Sequence, residues 1–279
     1  MARHIAFLDR EQELAHIHGL MHEWGTRRVL CIDGPGGVGK TWLLREVHRR
    51  YQADEHLAAS LKVTGILDFD DFALRTPQNT AYRLAHMLDA KTFDPYLFVL
   101  HNWHRSGMGS VQNEQADSAA LALNQTFVNC FNMLSAMHRV VVFVDTIDAL
   151  DSLSVLHALV AISPRIDNMV LLLAGRNVAA IAETLRPDFG DDVQVIELAP
   201  FSPASSENYS ARKQQQLGTS LPRPLLHKLI ALSAGRPVLL NLAIEWATTA
   251  ALPFWLAEGS AEELQVLPRE QWATRQSDL

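Results

Sequence analysis

Lys40 and Thr41 close the run Gly34-Pro35-Gly36-Gly37-Val38-Gly39-Lys40-Thr41, which meets the pattern G-x-x-x-x-G-K-[ST] at every fixed position. The residue types suit a polyphosphate. Glycines admit positive φ and let backbone N–H groups approach phosphate oxygens. A helix opening at Gly39-Lys40-Thr41 adds its positive dipole end and unpaired amides. Lys40 is placed to reach the β- and γ-phosphates of a nucleotide, and the Thr41 hydroxyl to ligate Mg²⁺. Trp42 follows at once and joins the candidate nucleotide-contacting set. The competing reading is a Gly-rich turn without function. It leaves unexplained the apolar run before the motif and the helical pattern after it, both of which a phosphate loop requires.

A cation held by such a loop needs a carboxylate across from it. Arg139-Val140-Val141-Val142-Phe143-Val144-Asp145 is an apolar run that ends in an acid. Asp145 therefore stands where the Walker B carboxylate holds the water shell of Mg²⁺. Thr41 and Asp145 are the expected metal residues, and ATP or ADP the expected nucleotide. Many ATPases place a glutamate directly after this acid to polarise water, but this chain has Thr146 there. Asp148 is then the candidate for that duty, and slow hydrolysis is the expectation. The strand 169–174 delivers Gly175-Arg176-Asn177, which makes Arg176 a candidate sensor of the γ-phosphate. An ordinary loop arginine is the alternative. The candidate catalytic set is Lys40, Asp145, Asp148 and Arg176.

Other clusters are weaker. Asp68, Asp70 and Asp71 gather after the strand 61–67, on the edge where ligands sit in open α/β sheets. A solvated acidic turn with a helix cap is the simpler account. Arg75 reads as a surface arginine. His18 and His22, and likewise His101 and His104, can share a helix face, but neither pair comes with a third ligand at zinc spacing.

Apolar runs at 29–33, 61–67, 140–145, 169–174 and 193–198 predict five strands that position these residues. Helical patterns fall between them. Asp9, with Gln12 completing a capping box, predicts the start of an amphipathic helix with Ile17, Leu20, Met21 and Trp24 at helical spacing. Further helices are predicted after Lys40 and after Pro77. A short helix follows Phe93, then a loop rich in Gly, Ser, Gln and Asn up to Asp117, then helices over 119–137, 153–162 and 178–185, the last broken by Pro187. Strand–helix alternation implies an α/β fold with a parallel sheet. It stops at Pro200-Phe201-Ser202-Pro203. Helices over 205–217, 222–234 and 238–250 follow, with Gly235-Arg236-Pro237 interrupting the last two. The domain plan is a nucleotide-binding core over 1–199, a small helical lid over 200–265 and a polar tail over 266–279.

The composition sets outer bounds. With 279 residues, 48% of them hydrophobic and 20% charged, the chain is long enough for a core and a smaller second domain. Cys31 and Cys130 are too few for a disulfide framework, which fits a reducing compartment. No basic region followed by an apolar core opens the chain, so cytoplasmic residence is the expectation. The apolar stretch 238–256 contains Asn241, Glu245 and Pro253, a pattern for buried helices rather than a membrane span. A net charge of −7 argues against wholesale nucleic-acid binding, though not against a local basic patch.

Taken jointly, these pieces resemble the STAND class of signal-transduction P-loop NTPases, relatives of AAA+ ATPases that include the nucleotide-binding domains of NLR-type immune receptors (NB-ARC-like). Phe7-Leu8-Asp9-Arg10-Glu11 resembles the opening motif that such families place against adenine, usually with Gly where Asp9 stands. The segment 141–148 resembles their Walker B segment, and 170–176 their strand ending in a sensor arginine. Gly235-Arg236-Pro237 resembles the Gly-x-Pro motif of the STAND lid, whose proline packs on the base. The resemblance thus implies nucleotide contacts for Arg10 and Pro237. It also implies a five-stranded parallel sheet of strand order 5-1-4-3-2, flanked by helices and followed by an all-α lid. STAND proteins continue into a winged helix and a repeat or effector region, so such a partner is expected downstream or on a separate polypeptide.

Two functions lead from this. The first is a nucleotide-controlled switch in signal transduction: ATP–Mg²⁺ and ADP favour different arrangements, which an effector or sensor domain, or self-assembly, reads out. The second is an AAA+-type ATPase acting with DNA or a protein partner, as in origin-recognition or transposition ATPases. Asp145-Thr146-Ile147-Asp148 is close to the Asp-Glu-x-Asp form of that group, and Arg165 is its candidate trans arginine finger. A small-molecule kinase ranks below both, because the lid sequence is apolar and Gln-rich rather than arginine-rich.

Overall fold

The computed structural model describes residues 9–52, 60–107, 114–150 and 168–249. The helix expected over 153–162, Arg165, Phe7, Leu8 and the chain from 250 onward lie outside them.

Five strands form one sheet: β1 (Arg27–Asp33), β2 (Leu61–Asp68), β3 (Arg139–Asp145), β4 (Met169–Ala174) and β5 (Val193–Glu197). Their order is β2-β3-β4-β1-β5, the expected 5-1-4-3-2 read from the other edge. Every neighbouring pair is parallel. The sensor strand β4 therefore lies between the loop strand β1 and the acid strand β3, with Ile32 opposite Ala174 and Leu173 opposite Val144.

The wholly apolar runs have a direct cause. β3 and β4 are buried at every residue, on both faces of the sheet. Helices α1 (Glu11–His22), α2 (Lys40–Gln52), α3 (Pro77–Leu88), α4 (Asp94–Arg105), α5 (Glu114–Ser135) and α6 (Val178–Phe189) cover it. One face carries Cys31, Val142, Val144, Leu171 and Leu173 and packs against Leu84, Tyr96, Phe127, Phe131 and Leu185. The alternate residues Leu30, Ile32, Val141, Phe143, Val170 and Leu172 are equally buried. On that second face α2 lies along β2, β3 and β4. At the N-terminal edge, buried Arg139 donates to the carbonyls of Leu20 and Thr26 and to Asn168 Oδ1. Burial pushes its guanidinium down to about 10.

Four local expectations are corrected. Trp24 lies beyond α1, which ends at His22, and is exposed. Asp9 does not cap α1, which starts at Glu11; its φ is 57°, a left-handed conformation. Such a position favours Gly, and Asp is among the few other residues that adopt it readily. Pro187 does not break α6, which runs on to Phe189. So near the helix end Pro187 frees one carbonyl, that of exposed Glu183, which water can satisfy, while the last turn buries Phe189. Finally, α5 begins at Glu114 rather than Ala119, so the end of the expected loop is helical.

The chain divides into two compact units. The sheet unit comprises Glu11–Gly34 and Lys40–Leu198. Among the described residues, the helical unit comprises Asp9, Arg10, Pro35–Gly39 and 199–249. Within the latter, α7 (Pro203–Leu217), α8 (Arg223–Ser233) and α9 (Pro237–Thr249) enclose Leu225, Leu229, Leu240, Ile244 and Ala247. Lys213, almost buried, pairs with Glu245, and the Tyr209 hydroxyl donates to Asn241 Oδ1 at 3.2 Å. Among the described residues no helix is long and apolar enough to cross a membrane.

Candidate functional site

β1 delivers the glycine-rich loop through Asp33. Its Oδ1 accepts the Gly34 N–H at 2.7 Å, and its Oδ2 accepts the Ala179 N–H at 3.3 Å. This acid went unremarked in the sequence, although an Asp closing a strand just before a Gly is a turn signal. Gly34, Gly37 and Gly39 adopt φ of 150°, 79° and 108°, conformations that side chains resist. Lys40, the first residue of α2, donates from Nζ to the Gly34 carbonyl at 2.5 Å. Burial pushes the Lys40 ammonium below the usual lysine range. The Asp148 carboxylate opposes that, the Arg176 guanidinium adds to it, and Asp145 and Asp33 oppose it. A partly desolvated ammonium interacts more strongly with an incoming anion than one in bulk water.

Asp145 ends β3 and is 3% exposed. Burial raises its pKa; hydrogen bonds from the Thr41 hydroxyl and the Thr146 N–H hold it down, the latter at 2.9 Å. The Asp68 carboxylate raises it further and Arg45 lowers it. Thr41 and Asp145 are therefore brought together, hydroxyl to carboxylate. Among the described residues no group of three or more His, Cys, Asp or Glu could hold a metal alone. One hydroxyl and one carboxylate suit Mg²⁺, which keeps several waters and takes its remaining ligands from phosphates.

Thr146 has φ 56°, a left-handed conformation that costs a non-glycine residue about 1–2 kcal/mol. It opens the single turn Ile147–Ala149. There Asp148 Oδ1 accepts the Arg176 N–H at 3.0 Å, and Asp148 Oδ2 lies 3.7 Å from Arg176 Nε. Gly175 makes this approach possible. A Cβ on it would stand 2.6 Å from Ile147 Cγ2 and 2.8 Å from Asp148 Oδ1. Arg176 itself is 68% exposed, and Trp42 is exposed on α2. Arg75 donates to the Phe69 carbonyl at 2.9 Å and lies over the Phe72 ring.

The remaining candidates, Arg10, Pro35 to Gly39 and Pro237, belong to the helical unit. Arg10 is 7% exposed and donates to the carbonyls of Asp9, Val38 and Ala199, the last at 2.7 Å. Its guanidinium also lies 5.2 Å from the Phe201 ring centroid. Pro237 is the first residue of α9, and the next N–H, that of Val238, donates to the Gly37 carbonyl at 3.4 Å. Gly235 has φ 70° and accepts the Phe201 N–H at 2.7 Å. A Cβ there would meet the Phe201 carbonyl at 2.5 Å, so Gly is required.

Residues 6–173 match the family model described as the AAA ATPase domain. No curated protein matches the chain. Among solved structures, a Walker-type ATPase of Pyrococcus abyssi aligns with a TM-score of 0.60 and 18% identity, over 95% of this chain and 74% of that one. Cdc6p of Pyrobaculum aerophilum aligns with a TM-score of 0.56 and 16% identity, over 90% of this chain and 63% of that one. At such identities the likeness concerns the fold.

Proposed function

The chain belongs to the AAA ATPase domain family, and from that premise we propose that it is an AAA+-type ATPase that binds ATP with Mg²⁺ and acts with a DNA or protein partner. Its nucleotide residues are Gly34 to Trp42, with Lys40 on the β- and γ-phosphates, Thr41 on the metal and Asp145 holding the metal's waters. Arg176 senses the γ-phosphate, and its tie to Asp148 carries that contact back to the loop after β3. Arg10 and Pro237 contact the nucleotide base. The observation that supports this reading best is the Asp145 carboxylate buried at the end of β3 beside the Thr41 hydroxyl. Phosphate release tests it: turnover that needs Mg²⁺ and disappears in Asp145→Asn is expected. Turnover unchanged by EDTA or by that substitution refutes the metal assignment. Stimulation by DNA, compared with none, then decides the class of partner.

A second reading is the STAND-type switch of signal transduction. It is favoured by the Val238 N–H donating to Gly37, which couples the start of α9 to the loop tip. In that reading hydrolysis is slow, and ATP and ADP give different hydrodynamic sizes. Identical elution profiles at saturation with either nucleotide exclude it.

A further inference from the structure

Asp68 ends β2, and its position relative to Asp145 is fixed by strand register. Leu67 pairs with Val144, and Asp68 with Asp145. The Phe69 N–H extends the pairing, donating to the Asp145 carbonyl at 3.1 Å. In-register partners on neighbouring strands point to one face, and successive residues to opposite faces. Leu67, Phe69 and Val144 are buried in the core packed by α3 to α6. Asp68 and Asp145 therefore share the other face, where Asp145 meets the Thr41 hydroxyl. Adjacent strands lie about 4.8 Å apart, so a second carboxylate stands one strand spacing from the metal-site acid.

Two of the neighbouring acids, Asp71 and Asp148, have other duties. The Asp71 carboxylate accepts the Ala73 N–H at 2.9 Å and starts the turn Phe72–Leu74. Asp70 is exposed, and its N–H donates to Asp68 Oδ1 at 3.1 Å. Asp148 has both carboxylate oxygens turned to Arg176. Thr146, directly after Asp145, has no carboxylate at all.

We propose that Asp68 orients the water that attacks the γ-phosphate, the duty otherwise given to a glutamate after the metal-site acid. The inference rests on the ATPase reading above. In the step, the water oxygen bonds to the γ-phosphorus while the bond from that phosphorus to the β–γ bridging oxygen breaks, its electron pair leaving on ADP. The water's proton passes along its hydrogen bond to Asp68 and then to solvent.

The test uses the full chain as wild type, Asp68→Asn and Asp68→Glu. Steady-state phosphate release gives kcat, and displacement of a fluorescent ATP analogue gives Kd. Asp68→Asn should lower kcat by about 100-fold or more, the scale of positioned acid–base groups, while the Kd for ATP stays within about threefold. Asp68→Glu should retain more turnover than Asp68→Asn. Equal loss in both variants, a kcat within about twofold of wild type in Asp68→Asn, or a change confined to Kd overturns the assignment. If Asp68→Asn does not fold, Asp68→Ser is read by the same criteria. A wild-type chain that binds ATP–Mg²⁺ without turning it over also overturns it, leaving the nucleotide site in place. One that binds neither ATP nor ADP refutes the site itself.

Discussion

The Arg176 N–H donates to the Asp148 carboxylate at 3.0 Å, a hydrogen bond that joins the loop after β3 to the loop after β4. Both loops lie at the C-terminal edge of a parallel sheet, where α/β folds place ligands. The contact depends on Gly175. Gly175→Ala puts a methyl group 2.6 Å from Ile147 Cγ2 and 2.8 Å from Asp148 Oδ1, so those side chains must move. We expect a loss of about 1–3 kcal/mol in denaturant unfolding, the usual scale for overpacking. ATP turnover should fall with it, while ADP binding persists. Unchanged stability would show that the two loops are not held together at this glycine.

Arg10 gives a second prediction. Removing its guanidinium leaves the carbonyl of buried Val38 without that donor. Orphaning a buried polar group costs about 1–3 kcal/mol. Arg10→Ala should therefore lower the Tm, and Arg10→Lys should recover only part of it, because an ammonium lacks the planar fork that spans several acceptors. Equal Tm for wild type and Arg10→Ala contradicts this.

The pH dependence of stability should report Glu46. It is nearly buried on α2 and is held by Arg49 at 2.8 Å and Arg50 at 2.7 Å. Arg49 foremost, with Arg50, brings its carboxyl from 4.5 down to about 2. The folded value lies below the unfolded one. The pairing thus contributes fully above about pH 4.5, and that contribution is lost as pH falls towards 2. Both guanidiniums are about half exposed (52% and 51%), so salt should weaken the effect. Glu46→Gln should flatten the fall of Tm across that window. A slope identical to wild type would contradict it.

Most of the sheet was legible in the sequence because strands buried on both faces leave unbroken apolar runs, as at 140–144 and 169–174. The strand order came from the resemblance, since register is a long-range property that no single run records. The errors were local and lay at the ends of elements. Burial of Phe189 carried α6 through Pro187, α5 began earlier than its apolar pattern, and Asp9 took a glycine-like φ instead of a cap. At the site, Lys40, Thr41 and Asp145 were readable because loop chemistry admits few residue types. The close approach at Gly175, the Phe201 contact that requires Gly235 and the pairing of Asp68 with Asp145 were not, because each depends on atoms far away in sequence.

The proposed ATPase site depends on Lys40 and the loop before it gripping a polyphosphate. The most direct measurement is calorimetric titration of ATP–Mg²⁺ into wild type and Lys40→Ala, with thermal melts alongside. Wild type should bind one ATP, gaining about 4 kcal/mol of stability at a thousand times Kd, and Lys40→Ala should show neither heat nor shift. Equal ATP affinity in Lys40→Ala and wild type, or no binding to either, would contradict the account.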